Sequence, residues 1–375
     1  MHYYTDLLTT TDGCPLALQS SRPLPPLPSL TTTTTAAAAA SHPDPAARDP
    51  GNPQTTTRTT TTIIVLLHGF SGSSAYFTRN FAALAAAGHW VVAPDMRGHG
   101  RSGHGAVARG GFHVARLAAD LREVLRFLKR SAAASPTAAY VSGPGPESGA
   151  AAAGGGGGEV KFVLVGCSIG AAVLWTHIEL FGEDLDGDGC CAGYVFVDQA
   201  PLQDRAGPLG LGGAWDARHA HRGCFDEASL FAAQEAWVRR PAETHRALVA
   251  ECLGYRVQPR EGDAVGEEQA RRDEEFFVAI SARCDGVWLA RLLADHTRYD
   301  HREALEGITR PTLVMAGRRS GCFPLEGVAE TAERIRKGGN QQVEMLVFES
   351  GHWLFYEEPE RFNRELLRFV DMCTR

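Results

Sequence analysis

The chain has 375 residues, of which 44% are hydrophobic and 22% charged, ordinary globular usage that indicates neither a wholly disordered nor a membrane protein. Against 44 acidic residues stand 37 basic ones, a formal net charge of −7, and only Lys129, Lys161 and Lys337 are lysines; a mildly acidic chain argues against nucleic-acid binding through phosphates. No apolar run of about 20 residues marks a membrane span, and the nine cysteines are too irregularly spaced to read as a disulfide framework.

From the start, Met1-His2-Tyr3-Tyr4 has neither the basic nor the apolar region of a secretory leader, and the expected location is the cytoplasm. Residues 1–22 read as a short extended meander turning at Gly13. Two tracts, 23–60 and 131–158, are mostly Thr, Ala, Gly, Ser and Pro. They bury too little apolar surface to offset their ordering entropy and read as insertions. The run Pro23-Leu24-Pro25-Pro26-Leu27-Pro28 favours polyproline II, the shape that SH3-like grooves accept, although a plain linker is the simpler reading.

Ile63-Ile64-Val65-Leu66-Leu67 is apolar on both faces, as a strand covered on both sides of a parallel sheet must be. A helix-like stretch to Ala87 and a second buried strand, Trp90–Ala93, follow. Residues 113–130 place Val114, Leu117, Leu121, Val124, Leu125 and Leu128 at helical spacing. Further strand runs are expected at 161–165, 194–197, 312–316 and 343–348. Buried strands alternating with helices predict an α/β fold with a mostly parallel sheet. Residues 203–305 break the alternation and read as a helical cap on a core formed by 1–202 and 306–375. A pocket is expected under it, beyond the carboxyl ends of the strands.

The most informative string is Gly166-Cys167-Ser168-Ile169-Gly170, directly after the run Phe162–Val165 and before a helical stretch. A G-x-S-x-G at such a junction makes a tight turn that lifts the serine oxygen out of the sheet. Ser168 is the expected nucleophile. It needs a base, and Glu349-Ser350-Gly351-His352-Trp353, after the last strand, offers His352. The backbone amides of Ile169 and of Phe70, in His68-Gly69-Phe70-Ser71-Gly72, are the expected oxyanion donors. His68 is expected to brace its loop.

In these motifs and in their order the chain resembles the α/β-hydrolase superfamily, together with Pro94-Asp95-Met96-Arg97-Gly98-His99-Gly100-Arg101-Ser102, which looks like the loop after the fourth strand in esterase, epoxide-hydrolase and cofactor-free haloperoxidase relatives. The resemblance implies an α/β-hydrolase fold with an inserted helical cap, no cofactor, no metal, and a small-molecule acyl substrate. It also exposes a departure. Most relatives carry the triad acid at the position of Ser320, but Gly317-Arg318-Arg319-Ser320-Gly321-Cys322-Phe323-Pro324 holds no carboxylate. Certain haloalkane dehalogenases place the acid one strand earlier, which here is Asp198, at the end of Tyr194–Val197. Asp295 and Asp300 are the lesser candidates for the acid and plausible pocket or cap residues.

The implied activity is serine hydrolysis of a carboxylic ester or similar acyl compound, with Ser168, His352 and Asp198 as triad. A ligand receptor on the same fold and an acyltransferase or perhydrolase are the alternatives. Trp353, Asp295 and Trp288 are the expected substrate contacts. Asp184-Leu185-Asp186-Gly187-Asp188-Gly189 imitates a calcium loop, but Val195 stands where a glutamate is required, and it reads as a solvated turn. Cys167 is expected to be an inert thiol facing the core. The sequence does not speak to oligomeric state.

Overall fold

The computed structural model describes residues 3–25, 60–104, 111–134, 159–187, 189–205, 215–263 and 265–375. Eight strands form one sheet: β1 (Tyr4–Thr9), β2 (Pro15–Ser20), β3 (Thr60–Leu67), β4 (Trp90–Pro94), β5 (Glu159–Cys167), β6 (Cys191–Val197), β7 (Thr312–Gly317) and β8 (Val343–Phe348). Their order is β1-β2-β4-β3-β5-β6-β7-β8. The pairs β1–β2 and β2–β4 are antiparallel, and the others are parallel. The meander expected at the start is therefore a hairpin on one edge. Half of the Pro-rich run and most of the two low-complexity tracts lie outside the described residues, although the helix expected at 113–130 continues to Ala134, into the second tract.

Side-chain alternation along the strands divides the core in two. On β3, Ile63, Val65 and Leu67 point to one face, where Leu117, Leu121, Val124 and Leu128 of the helix Val114–Ala134 and Trp175 of the helix Ile169–Phe181 cover them. Ile64 and Leu66 point to the other, against Phe81, Leu84 and the C-terminal helix Pro359–Thr374 through Phe362, Leu366, Phe369 and Val370. Strands covered on both faces have no polar side to show water, which is why these runs read as unbroken apolar strings.

Between β6 and β7 the described residues hold helices and one isolated bridge, Asp204 to Phe225. The main helices there are Glu227–Arg239, Pro241–Cys252, Glu267–Ser281 and Gly286–Arg298. Asp226 begins the first with a capping box to Ser229, and Pro241 opens the second at a position where no intrahelical N–H is lost.

Strand register decides what meets at the carboxyl edge. Leu67 pairs with Gly166, Cys167 with Val197, Val197 with Met315, and Gly317 with Phe348. The residues that follow these strands, Phe70, Ser168, Asp198, Ser320 and His352, thereby share one rim of the sheet.

Candidate active site

Ser168 sits between β5 and the helix Ile169–Phe181 with φ 54° and ψ −128°. The left-handed backbone is what the tight turn demands, and its neighbours must be small. A Cβ on Gly166 would lie 2.5 Å from the Gly170 carbonyl oxygen, and one on Gly170 would lie 2.7 Å from that of Leu67. Ser71 (φ 54°) and Asp198 (φ 47°), after β3 and β6, are also left-handed. Such strain costs of order 1–3 kcal/mol per residue and collects where geometry serves a site.

His352 and Asp198 meet directly. The His352 Nδ1 lies 2.6 Å from Asp198 Oδ2. The same Oδ2 accepts from the Ser320 hydroxyl at 2.7 Å, and Oδ1 accepts from the Gly317 amide at 2.8 Å. Asp198 is fully buried, and Ser168 and His352 nearly so. Burial by itself disfavours a charged imidazole, but the neighbouring Cys322 sulfur and the Asp198 carboxylate outweigh it and raise the His352 pKa above its ordinary value. The loop carrying His352 is pinned by Glu357, whose carboxylate accepts from the amides of Gly351 (2.8 Å) and Gly254 (3.0 Å).

Phe70 and Ile169 flank the serine. Ile169 is the first residue of its helix, whose positive end faces the turn. The Phe70 turn presses close, since a Cβ on Gly69 would be 3.2 Å from the Ser168 Cβ. His68 braces that turn: its Nε2 accepts from the Met96 amide at 2.9 Å, and Nδ1 donates to the Gly69 carbonyl at 2.8 Å. Arg97 is buried between Asp120 (2.7 Å) and Asp12 (2.8 Å), and Asp95 accepts from the amides of Ser74 and Arg101, so both serve the loop's architecture. Cys167 is buried, which pushes its thiol pKa well up.

A cavity of about 510 Å³ opens over Ser168 and His352. Its walls are mainly apolar, with Phe70, Phe225, Trp237, Leu248, Leu293 and Phe323, while Arg240, Glu243 and Thr244 also line it. Trp353 also borders the cavity and stacks on Phe277 with ring centroids 3.7 Å apart.

Two expected substrate contacts are elsewhere. Trp288 is fully buried under the Gly98 turn, where a Cβ would meet its ring at 2.6 Å, and stands edge-on to His99. Asp295 binds His113 Nδ1 at 2.7 Å and the Val114 amide at 2.8 Å, so it caps the helix Val114–Ala134. Neither lines the cavity, whereas Leu293 and His296 of the same helix, Gly286–Arg298, reach its wall. Asp300 pairs with Arg302 at 2.6 Å. In the calcium-loop look-alike Asp184 pairs with Arg310 and Asp186 with Arg126.

Sequence reasoning passed over the Ser320 hydroxyl as a partner of the acid, Glu357 as the loop's anchor, and Leu248 and Leu293 as cavity wall. The apolar spacing of Leu230, Ala233 and Trp237 marks the inward side of the helix Glu227–Arg239, but spacing by itself does not say what that side faces.

Among the described residues no helix is long and apolar enough to cross a membrane. No curated protein matches the sequence. The fold is shared with an esterase from Exiguobacterium antarcticum (16% identity, TM-score 0.65, 97% of this chain and 98% of that one). A bromoperoxidase from Bacillus anthracis is similar to the same degree (16%, TM-score 0.65, 99% and 100%), and an enol-lactonase from Burkholderia xenovorans shares the fold at 12% identity (TM-score 0.60, 98% and 100%). The model of the alpha/beta hydrolase family matches residues 64–365, a span that takes in the Phe70 turn, the Ser168 elbow, Asp198 and His352, and the chain belongs to that family.

Proposed function

We propose that this protein is a serine hydrolase that cleaves a carboxylic ester or related acyl compound through an acyl-enzyme. One observation carries the reading: a left-handed serine at a strand-to-helix turn shares its cavity with a buried histidine whose Nδ1 is held by a carboxylate. In this reading Asp198 orients the His352 ring and stabilises its imidazolium. His352 takes the Ser168 proton as the oxygen attacks the carbonyl carbon, and returns it to the leaving alcohol. The amides of Phe70 and Ile169 hold the oxyanion, and water then releases the acid by the same steps in reverse. Family membership supports hydrolysis as the general class of reaction.

The mainly apolar walls favour an apolar acyl or aromatic group over a charged one. The helices between β6 and β7 act as the cap, and the nine cysteines, all free thiols, suit the cytoplasm. The carboxylate of Asp198 against the His352 ring, although position 320 is a serine, supports the hydrolase reading over a receptor on the same fold.

A fluorophosphonate probe should label Ser168 rapidly in the folded protein, and a panel of p-nitrophenyl esters of increasing chain length should find a substrate. Ser168→Ala should abolish labelling and cut turnover by about 10⁴ to 10⁶. A folded protein that resists the probe would defeat the proposal, and transfer of the acyl group to added alcohols in preference to water would recast the enzyme as an acyltransferase.

A further inference from the structure

The cavity wall brings two thiols, which ester hydrolysis does not use, up against His352. Cys252 ends the helix Pro241–Cys252, and Cys322 lies two residues beyond Ser320. Their Sγ atoms are 3.4 Å apart. One ligand atom from each of Cys252, Cys322 and His352 lies within 4.8 Å of the other two, and all three residues border the cavity. The backbone holds this convergence in place. The Gly321 amide donates to the Glu251 carbonyl at 3.0 Å, and the Trp353 amide donates to the Cys252 carbonyl at 3.3 Å.

We propose that Cys252, Cys322 and His352 form a site for a thiophilic divalent cation of the zinc type, and that filling it stops hydrolysis. The second half rests on the serine-hydrolase reading; the first does not. Tetrahedral zinc with bonds of about 2.3 Å to sulfur sets two thiolates about 3.8 Å apart. From 3.4 Å the sulfurs need to part by only a few tenths of an ångström. Two sulfurs and an imidazole suit zinc or cadmium and not magnesium or calcium.

Asp198 occupies Nδ1, so Nε2 is the nitrogen left for an ion, and a carboxylate behind a metal-bound histidine is the usual supporting arrangement. On binding, each thiol gives up one proton to solvent, and so does the imidazole where it is charged. Two sulfur–metal bonds and one bond from the imidazole lone pair form, and nothing is oxidised or reduced. The resulting unit is neutral, as a mainly apolar wall requires. The lone pair that would receive the Ser168 proton is then engaged, so the nucleophile loses its base.

The test uses the full chain, kept reduced with a phosphine. Titration with Cd²⁺ or Co²⁺ should show one ion per chain with a thiolate-to-metal charge-transfer band. The band should vanish, or the affinity fall by about tenfold or more, in Cys252→Ser and in Cys322→Ser. Zn²⁺ should inhibit ester hydrolysis, a chelator should restore it, and each variant, measured against its own metal-free rate, should need about tenfold more zinc for the same inhibition. Absence of the band in the wild type, or an unchanged band or zinc sensitivity in both variants, overturns the site. A protein that shows the band yet neither reacts with fluorophosphonate nor hydrolyses any ester keeps the site and loses the hydrolase reading; an active, labelled enzyme without the band does the opposite.

Discussion

The carboxylate of Asp198 accepts hydrogen bonds from the Gly317 amide and the Ser320 hydroxyl while holding His352. A buried acceptor satisfied in this way points in one direction, as an acid that orients a base must. Asp198→Asn should therefore fold normally and lose about 10⁴ in turnover, because an amide allows the wrong imidazole tautomer. The position of the acid can also be exchanged. Asp198→Ser combined with Ser320→Asp restores a carboxylate and a hydroxyl to the same contact and should be about tenfold or more faster than Asp198→Ser alone. Steady-state kinetics on a p-nitrophenyl ester decide both, and Asp198→Asn at the wild-type rate would remove Asp198 from the proposed triad.

The helix Gly286–Arg298 shows how an amphipathic element divides its labour. Asp285 caps it by accepting from the Trp288 amide at 2.7 Å, Trp288 fills the space beneath Gly98, and Leu293 and His296 reach the cavity. Loss of the cap in Asp285→Ala should cost about 1 kcal/mol. Trp288→Ala removes a fully buried ring and should cost about 3–5 kcal/mol. Urea denaturation measures both. Since the Trp288 ring does not line the cavity, the milder Trp288→Phe should leave KM nearly unchanged; a large rise in KM would return Trp288 to the substrate site.

Across the whole molecule, several histidines are buried without an acidic partner strong enough to charge them. Burial holds the pKa of His99 and of His296 down to about 3, lowers that of His177 to about 4, and puts that of His301 well below the ordinary 6.5. Below pH 6.5 the unfolded chain takes up these protons and the folded chain does not. Stability is therefore full above that pH and is lost progressively down to the folded values, by about 1 kcal/mol per pH unit for each group. His352, raised by its neighbours, is protonated in both states below pH 6.5 and adds nothing to this acid slope; its contribution to stability is lost only as the pH rises above 6.5. Melting temperature should fall steeply between about pH 6 and pH 4, and a flat profile there would mean that these rings are protonated in the folded state.

What the sequence determined by itself is what neighbouring residues decide. The turn at Ser168 is legible because glycines at 166 and 170 and a strand and helix on either side are local requirements, and the doubly covered strands are legible because both of their faces must be apolar. His352 could be placed from its position after the last strand. The tertiary structure alone decided that Asp198 reaches that histidine with Ser320 as its partner, since adjacent strands lie about 5 Å apart and either strand end is within reach of one imidazole. It also decided that Trp288 is buried beneath Gly98, that Asp295 caps the helix Val114–Ala134, and that Cys252 meets Cys322 across 70 residues of sequence. Periodicity tells which side of an element is apolar; which surface that side meets is set by how the elements pack.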